Sequence, residues 1–281
     1  MIEMKQRFTC FIPTMILLVC IIAAKGQNTY LPKGDPGKWN VELTPFLWLP
    51  AIGGDVGSVR LSEDYNIPSV DLLSNLKMAF MINGEVSKGK FFAAPYYVYT
   101  KLGTEETKWT SGNGAYNITA KPDLKLNILG LNAGGRFRAN DLLIFDAFAG
   151  FRYTSYQIVG SIEGINQAIP LDEKADFWDP VVGFQMYYYP IPRVPVILKV
   201  DVGGFGAGSD LSWTTELNSG YTVSPSFDLL AGFSAYGTNF EKENALGNKI
   251  GLNMIMYGFD IGLRYHIPKR VKDPAVFKKV K

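Results

Sequence analysis

The last part of the chain alternates between apolar and polar or small residues at almost every position. From Ile255 to Ile267 one face is Ile255, Tyr257, Phe259, Ile261, Leu263 and Tyr265, and the other is Met256, Gly258, Asp260, Gly262, Arg264 and His266. A period of two predicts a β-strand whose two sides meet different surroundings. Because the apolar face is long and aromatic while the other holds Gly, Asp and Arg, the pattern is typical of a strand with lipid outside and a polar lumen inside.

Segments with comparable alternation recur along the chain and predict an all-β, transmembrane, antiparallel up-and-down β-barrel. We predict ten strands, an even number as in bacterial single-chain barrels, with eight or twelve as alternatives. The fourth strand loses its phase near Leu129, for which we expect a β-bulge. The predicted strands are 39–50, 77–88, 91–102, 123–138, 142–157, 176–189, 195–206, 221–235, 236–243 and 250–267.

Short and long connections should alternate in such a barrel, with the short turns on the periplasmic side. Short connections are predicted at 88–90, 139–141, 190–195 and 236–239. Longer polar stretches are predicted at 51–76, 103–122, 159–175, 207–220 and 242–249. Within the first of them, Val56 to Leu61 could form a further strand and Ser69 to Leu76 a short helix.

A soluble β-sandwich or lipocalin-like barrel is the alternative fold, and the aromatic residues argue against it. Many aromatics fall near predicted strand ends, where the interfacial girdles of membrane barrels lie. They are Tyr96, Tyr97, Tyr99, Tyr153, Tyr156, Phe177, Trp178, Tyr187, Tyr188 and Tyr189.

The N-terminus predicts export. Lys5 and Arg7 precede an uncharged run from Phe8 to Ala24, and small residues at Ala24 and Gly26 fit a signal-peptide cleavage site. We therefore predict a signal peptide over 1–26, a periplasmic segment over 27–38, a barrel over 39–267 and a basic periplasmic tail over 268–281. An uncleaved membrane anchor is the alternative for the first segment. Both cysteines lie within 1–26, which would leave the mature chain without disulfides or thiolate chemistry.

The charge balance argues against nucleic-acid binding and excludes no other function. The formal net charge of +2 comes from the basic residues of the two ends, so the barrel region gives no sign of a nucleic-acid partner.

Charged residues on the polar faces of the strands are the candidate functional set, because a basic residue facing lipid at mid-bilayer costs about 2–4 kcal/mol. The lumen-lining candidates are Glu42, Glu85, Arg136, Arg138, Asp146, Arg152, Asp179, Lys199, Asp201, Asp228, Asp260 and Arg264.

Two arrangements of these charges are open. Opposite charges could pair and fill the lumen, or they could line a narrow porin-like pore for small polar solutes. Since a ten-stranded barrel is barely wider than the eight-stranded size that side chains fill, we favour the filled lumen. An outer-membrane enzyme is a third class. The single histidine, His266, is expected to be an interfacial residue at the periplasmic rim, so we expect no catalytic residues, cofactor or metal.

The expected partners are outer-membrane lipid, lipopolysaccharide and the barrel-assembly machinery. Acidic residues of the long connections could bridge lipopolysaccharide through divalent cations, although we favour solvated loop charge as their explanation. These residues are Glu105, Glu106, Asp172, Glu173 and Asp176.

Three segments also resemble those of a poorly characterised family of bacterial outer-membrane β-barrel proteins. They are Trp39 to Gly54, Asp179 to Gly183, and Asp201 to Asp210 with Trp213. The resemblance implies an outer-membrane barrel and no established activity. Such barrels usually end on an aromatic residue in the last strand, whereas here a basic tail follows Ile267.

Overall fold

The computed structural model describes residues 33, 37–58, 61–103, 107–110, 117–120, 123–140, 142–163, 168–191, 193–243 and 249–267. The predicted signal peptide and the basic tail lie outside them. Nearly all the described residues are in strands, and no helix among them is long and apolar enough to cross a bilayer. The one helix among the described residues is α1 (Ser69–Ser74). The strands are β1 (Asn40–Ser58), β2 (Leu61–Ile67), β3 (Leu76–Lys88), β4 (Phe91–Gly103), β5 (Thr107–Thr110), β6 (Asn117–Ala120), β7 (Asp123–Arg138), β8 (Leu143–Glu163), β9 (Ala168–Ile191), β10 (Val194–Gly204), β11 (Leu211–Ser224), β12 (Phe227–Glu243) and β13 (Lys249–Ile267).

Ten strands close into an antiparallel barrel, as the alternation predicts. β1, β3, β4 and β7 to β13 each pair with the neighbouring strand, and β13 returns to pair with β1 from Val41↔Ile267 to Ser58↔Ile250. The short β2, β5 and β6 extend the sheet at the end of the long connections.

The last strand has the two faces that its sequence predicts. Met256, Asp260 and His266 are buried inside the barrel, whereas Phe259 and Ile261 are 58% and 59% exposed on the outside. The same outward apolar face continues around the barrel. Because exposing such a large apolar surface to water is unfavourable, this is the surface that lipid covers.

Aromatic residues mark the two borders of this apolar face. Near the long connections, Trp178 packs against Tyr153 with ring centroids 4.9 Å apart, and near the short turns Phe227 packs against Tyr265 at the same separation. Rings at these two levels match the interfacial girdles of membrane barrels.

Five of the aromatics that the sequence assigns to the girdles lie inside the barrel instead. Tyr156, Phe177, Tyr187 and Tyr189 are all buried, and Tyr96 lines an internal cavity. Their strand phase is inward, so they fill the lumen and do not contact lipid.

The first, fifth and sixth predicted strands extend further into the predicted long connections than expected, to Ser58, to Glu163 and from Ala168. The boundaries of the eighth and ninth predicted strands are wrong. The structure has no turn at 236–239, because β12 passes through it. The turn lies at Pro225 and Ser226, and most of the predicted loop 207–220 belongs to β11. The strand number is still ten because both errors fall within one hairpin.

The β-bulge predicted near Leu129 is also wrong. The pairing of β7 with β4 and with β8 is continuous from Asp123 to Gly135. Leu126 and Ile128 face inward and are buried. The inward face of β7 therefore changes from polar to apolar, while the strand keeps its phase.

The barrel wall is interrupted between β1 and β3. These strands pair only from Asn40↔Ser87 to Pro45↔Ile82, and further along β1 pairs with β2 instead. In the interrupted stretch the N–H of Trp48 donates to Sδ of Met81 at 3.2 Å. A buried methionine side chain therefore takes the place of a carbonyl acceptor in the ladder.

Replacing Met81 by Ala should lower the free energy of unfolding by about 2–3 kcal/mol, because it leaves a cavity and removes the acceptor for Trp48. Urea unfolding in detergent micelles measures the change. Met81→Leu keeps most of the volume and should cost less than about 1.5 kcal/mol. Equal stability of the native and Met81→Ala proteins would contradict this role.

Candidate functional site

The side chains inside the barrel fall into three groups along it, two of them polar. Most of the sequence-predicted lumen residues are buried there. Lys199 is largely buried, with its side chain 13% exposed. Arg138 is exposed at the short-turn end, where it lines an open recess with Lys90.

The first group is a buried set of charges near the short turns, which we name the ionic layer. Its members are Lys33, Glu42, Glu85, Arg136, Asp146, Asp228, Arg264 and His266. Strand register places most of these residues next to a partner. Arg136 lies directly opposite Asp146 on β7 and β8, and Asp228 lies opposite Arg264 on β12 and β13.

Arg136 is the most densely bonded member of the ionic layer. Its Nε and Nη2 donate to the two oxygens of Asp146 at 2.9 and 2.7 Å, and Nη2 also donates to Oε1 of Glu85 at 2.8 Å. The planar guanidinium matches a carboxylate bidentately, which makes such pairs strong and directional.

Lys33 neutralises two carboxylates that the strand register places opposite each other. Glu42 and Glu85 lie directly opposite each other on β1 and β3, and like charges in that position destabilise a sheet. Nζ of Lys33 lies 2.7 Å from a carboxylate oxygen of each, and 4.1 Å from the centre of the Tyr187 ring. Sequence reasoning missed Lys33 because it lies ahead of the first strand, where no alternation marks it.

His266 is part of the ionic layer and not the interfacial residue that the sequence predicts. Its Nε2 is 2.8 Å from Oδ2 of Asp228 and its Nδ1 is 3.4 Å from Oε1 of Glu42. Thr222 donates to the second oxygen of Asp228 at 2.7 Å. The imidazole is thus enclosed by acidic partners within the wall of the barrel.

The second group lies in the middle of the barrel and includes pairs across strands that are not neighbours. Nη2 of Arg152 on β8 is 3.0 Å from Asp201 on β10, as an ion pair whose geometry does not make a hydrogen bond. Arg152 also donates to Ser212 at 3.1 Å and to Thr214. Lys199 pairs with the directly opposite Glu216 at 2.7 Å.

Asp179 has a structural role instead of pairing with Arg152, its cross-strand neighbour. Its two oxygens accept the N–H and the hydroxyl of Ser209 at 2.7 and 2.8 Å. These bonds fix the turn between β10 and β11, where Gly204, Phe205 and Gly206 adopt positive φ.

The third group occupies the half of the barrel nearer the long connections, and we name it the apolar layer. It consists of buried side chains from eight strands. They are Trp48, Ile52, Met81, Val98, Leu102, Leu126, Ile128, Tyr156, Phe177, Tyr236, Met254 and Met256. Phe177 stacks on Phe240 at 4.8 Å. The sequence predicts a polar lumen throughout and therefore missed this layer.

An internal cavity of about 150 Å³ lies between the ionic and apolar layers. Glu42 and Arg264 line it on one side, Trp48 and Tyr236 on the other, and Asp260 from the wall. Within the described residues, no group of three or more His, Cys, Asp or Glu side chains is placed to hold a metal ion.

No family model matches the chain, and no curated protein matches it. Solved structures of similar shape exist. The outer-membrane protease OmpT of Escherichia coli is 14% identical, with a TM-score of 0.48, covering 84% of this chain and 98% of that one. The translocator domain of the autotransporter NalP of Neisseria meningitidis is 10% identical, with a TM-score of 0.39 and coverage of 94% and 97%. The attachment invasion locus protein Ail of Yersinia pestis, in complex with the heparin analogue sucrose octasulfate, is 11% identical, with a TM-score of 0.35 and coverage of 82% and 99%.

Proposed function

We propose that this chain is a non-enzymatic outer-membrane β-barrel with a closed lumen, which acts as an envelope structural protein or binds ligands through its outer extensions. The observation that carries the proposal is the filling of the lumen at two levels. The ionic layer occupies the end near the short turns, and the apolar layer occupies the other half, which supports a lumen without a continuous passage.

The outward apolar face supports a location in the outer membrane. On β8 and β9 that face runs from Phe145 and Tyr188 to Tyr153 and Trp178, close to the span of about 9–11 residues that a tilted transmembrane strand needs. Polar contacts follow directly beyond it, such as Gln157 with Asp172 at 2.6 Å. By the usual orientation, the short turns face the periplasm and the long connections the outside.

The strands continue well past the apolar face. β8 has 21 residues and β9 has 24, and they remain paired as far as Glu163↔Ala168. An extended outer sheet offers a rigid surface for a ligand outside the cell, which is why we place any ligand binding of the closed barrel there.

The environment of His266 supports a non-enzymatic role. A general base must reach a substrate proton. Both ring nitrogens of His266 contact carboxylates, and the ring is buried at the turn end of the barrel.

Planar-bilayer recording tests the closed lumen. The folded protein should insert and give no steady, reproducible conductance, because both layers would have to open before ions could pass. Heat-modifiable gel mobility checks that the sample is folded, and an open porin inserted under the same conditions serves as the positive control. A stable unitary current would instead support a narrow diffusion channel.

A further inference from the structure

Asp260 is a buried carboxylate in the central cavity, and no cation of the described part of the chain lies beside it. It is 7% exposed, and among the described residues its hydrogen-bond partner is the hydroxyl of Ser234, at 2.7 Å from Oδ2. Two other carboxylates of this section have cations, Asp201 in Arg152 and Glu216 in Lys199, and Asp179 has two hydrogen bonds from Ser209. An isolated buried carboxylate is costly, so this position favours a positive charge.

The walls around Asp260 suit an organic cation. Trp48 lies directly opposite Asp260 on the neighbouring strand, and both line the cavity with Tyr96 and Tyr236. Aromatic faces attract cations through their quadrupole. Tyr96 and Tyr236 already do so here, with Lys199 and Arg152 at 5.2 Å from their ring centres.

We propose that the cavity is a binding site for a small organic ammonium ion, with Asp260 as its counter-ion and Trp48 as its aromatic wall. The volume of about 150 Å³ sets the size, since a cavity of that order holds a benzene-sized molecule. An ammonium ion reaches the cavity past one layer, whereas conduction requires both layers to open, so the site does not require a conducting lumen.

Calorimetric titration of the folded barrel in micelles with n-butylammonium chloride tests the site. Saturable binding is expected. Asp260→Asn should weaken it about 10- to 100-fold, the range that the loss of one charge-assisted hydrogen bond gives. The asparagine can still accept from Ser234 and removes an unpaired buried charge, so this variant should fold, as heat-modifiable mobility will show.

Matched probes and a matched variant separate the site from general effects. Butyrate, 1-butanol and ammonium chloride should each bind at least about 10-fold more weakly. Butyrate and 1-butanol lack the positive charge, and ammonium lacks the alkyl chain. Asp123→Asn makes the same change beside Lys77 and Lys101 at the outer rim and should leave butylammonium binding unchanged. Binding that survives Asp260→Asn, or that 1-butanol or ammonium chloride reproduces, would overturn the proposal.

Discussion

Replacing Arg136 by Met should lower the free energy of unfolding by about 3–5 kcal/mol, the cost of removing one partner from a buried ion pair. Asp146 is only 1% exposed and takes both of its cationic hydrogen bonds from Arg136. Without the guanidinium, that carboxylate stays buried and unpaired, and Glu85 loses one of its two cations. Urea unfolding of the refolded barrel in micelles or vesicles gives the change in midpoint.

Three further variants separate the pair from a general loss of packing. Arg136→Lys keeps the charge without the bidentate geometry and should fall between the native protein and Arg136→Met. Adding Asp146→Asn to Arg136→Met should recover part of the loss, because the unpaired charge is then gone. Arg138→Met makes the same change two residues further along β7, at an exposed position, and should cost about 0.5 kcal/mol or less. If both arginine-to-methionine variants lost the same stability, the ionic layer would not stabilise the barrel.

The faces of the strands were predictable because lipid and lumen impose opposite chemistry on a period of two. Ile255 to Ile267 shows this directly, and the inward phase of Glu42, Asp146 and Asp260 follows from the same rule. The rule uses only positions within one strand, so it does not require knowledge of the neighbours.

The hairpin of β11 and β12 was not predictable by that rule. Its turn at Pro225 and Ser226 carries no Asn-Gly or Asp-Gly signal, while Gly237 and Asn239 further on imitate one. The inward face of β11 holds Ser212, Thr214 and Glu216, whose polarity resembles that of a loop. A strand with a polar inward face therefore resembles a connecting loop in the sequence.

The apolar layer misled the sequence interpretation in the opposite sense. Leu126 and Ile128 face inward yet are apolar, so they imitate a slip in phase, and Phe177 imitates a girdle residue. Which part of a lumen is apolar depends on side chains from many strands at one height. That height is set by the stagger of the strands, which a single strand does not encode.

The pairing of the charges was predictable in kind but not in detail. Arg152 could be expected to meet Asp179 on the neighbouring strand, but it pairs with Asp201, one strand further. Curvature of the closed wall brings β8 and β10 together inside the barrel. A long side chain can therefore reach past its immediate neighbour.

Lys33 has the second large expected effect, although it lies outside every strand. Lys33→Met would leave Glu42 and Glu85 facing each other across β1 and β3 without the ammonium that lies between them. We expect a loss of about 3 kcal/mol in urea unfolding, at the low end of the range for a broken buried pair. Arg136 would still pair with Glu85 at 2.8 Å, and Arg264 would still face Glu42 at 3.6 Å.

A second substitution shows whether the conflict between the two carboxylates is the cause. Glu85→Gln in the Lys33→Met background removes one of the opposed charges and should restore about half of the lost stability or more, a coupling that a double-mutant cycle measures. Lys38→Met is the matched control, since Lys38 belongs to the same segment and is exposed, and it should change stability by about 0.5 kcal/mol or less. If Lys33→Met and Lys38→Met behave alike, the N-terminal segment does not contribute to the closed lumen. If only Lys33→Met is destabilised and Glu85→Gln rescues it, a residue ahead of the first strand neutralises a charge conflict that the barrel register itself creates.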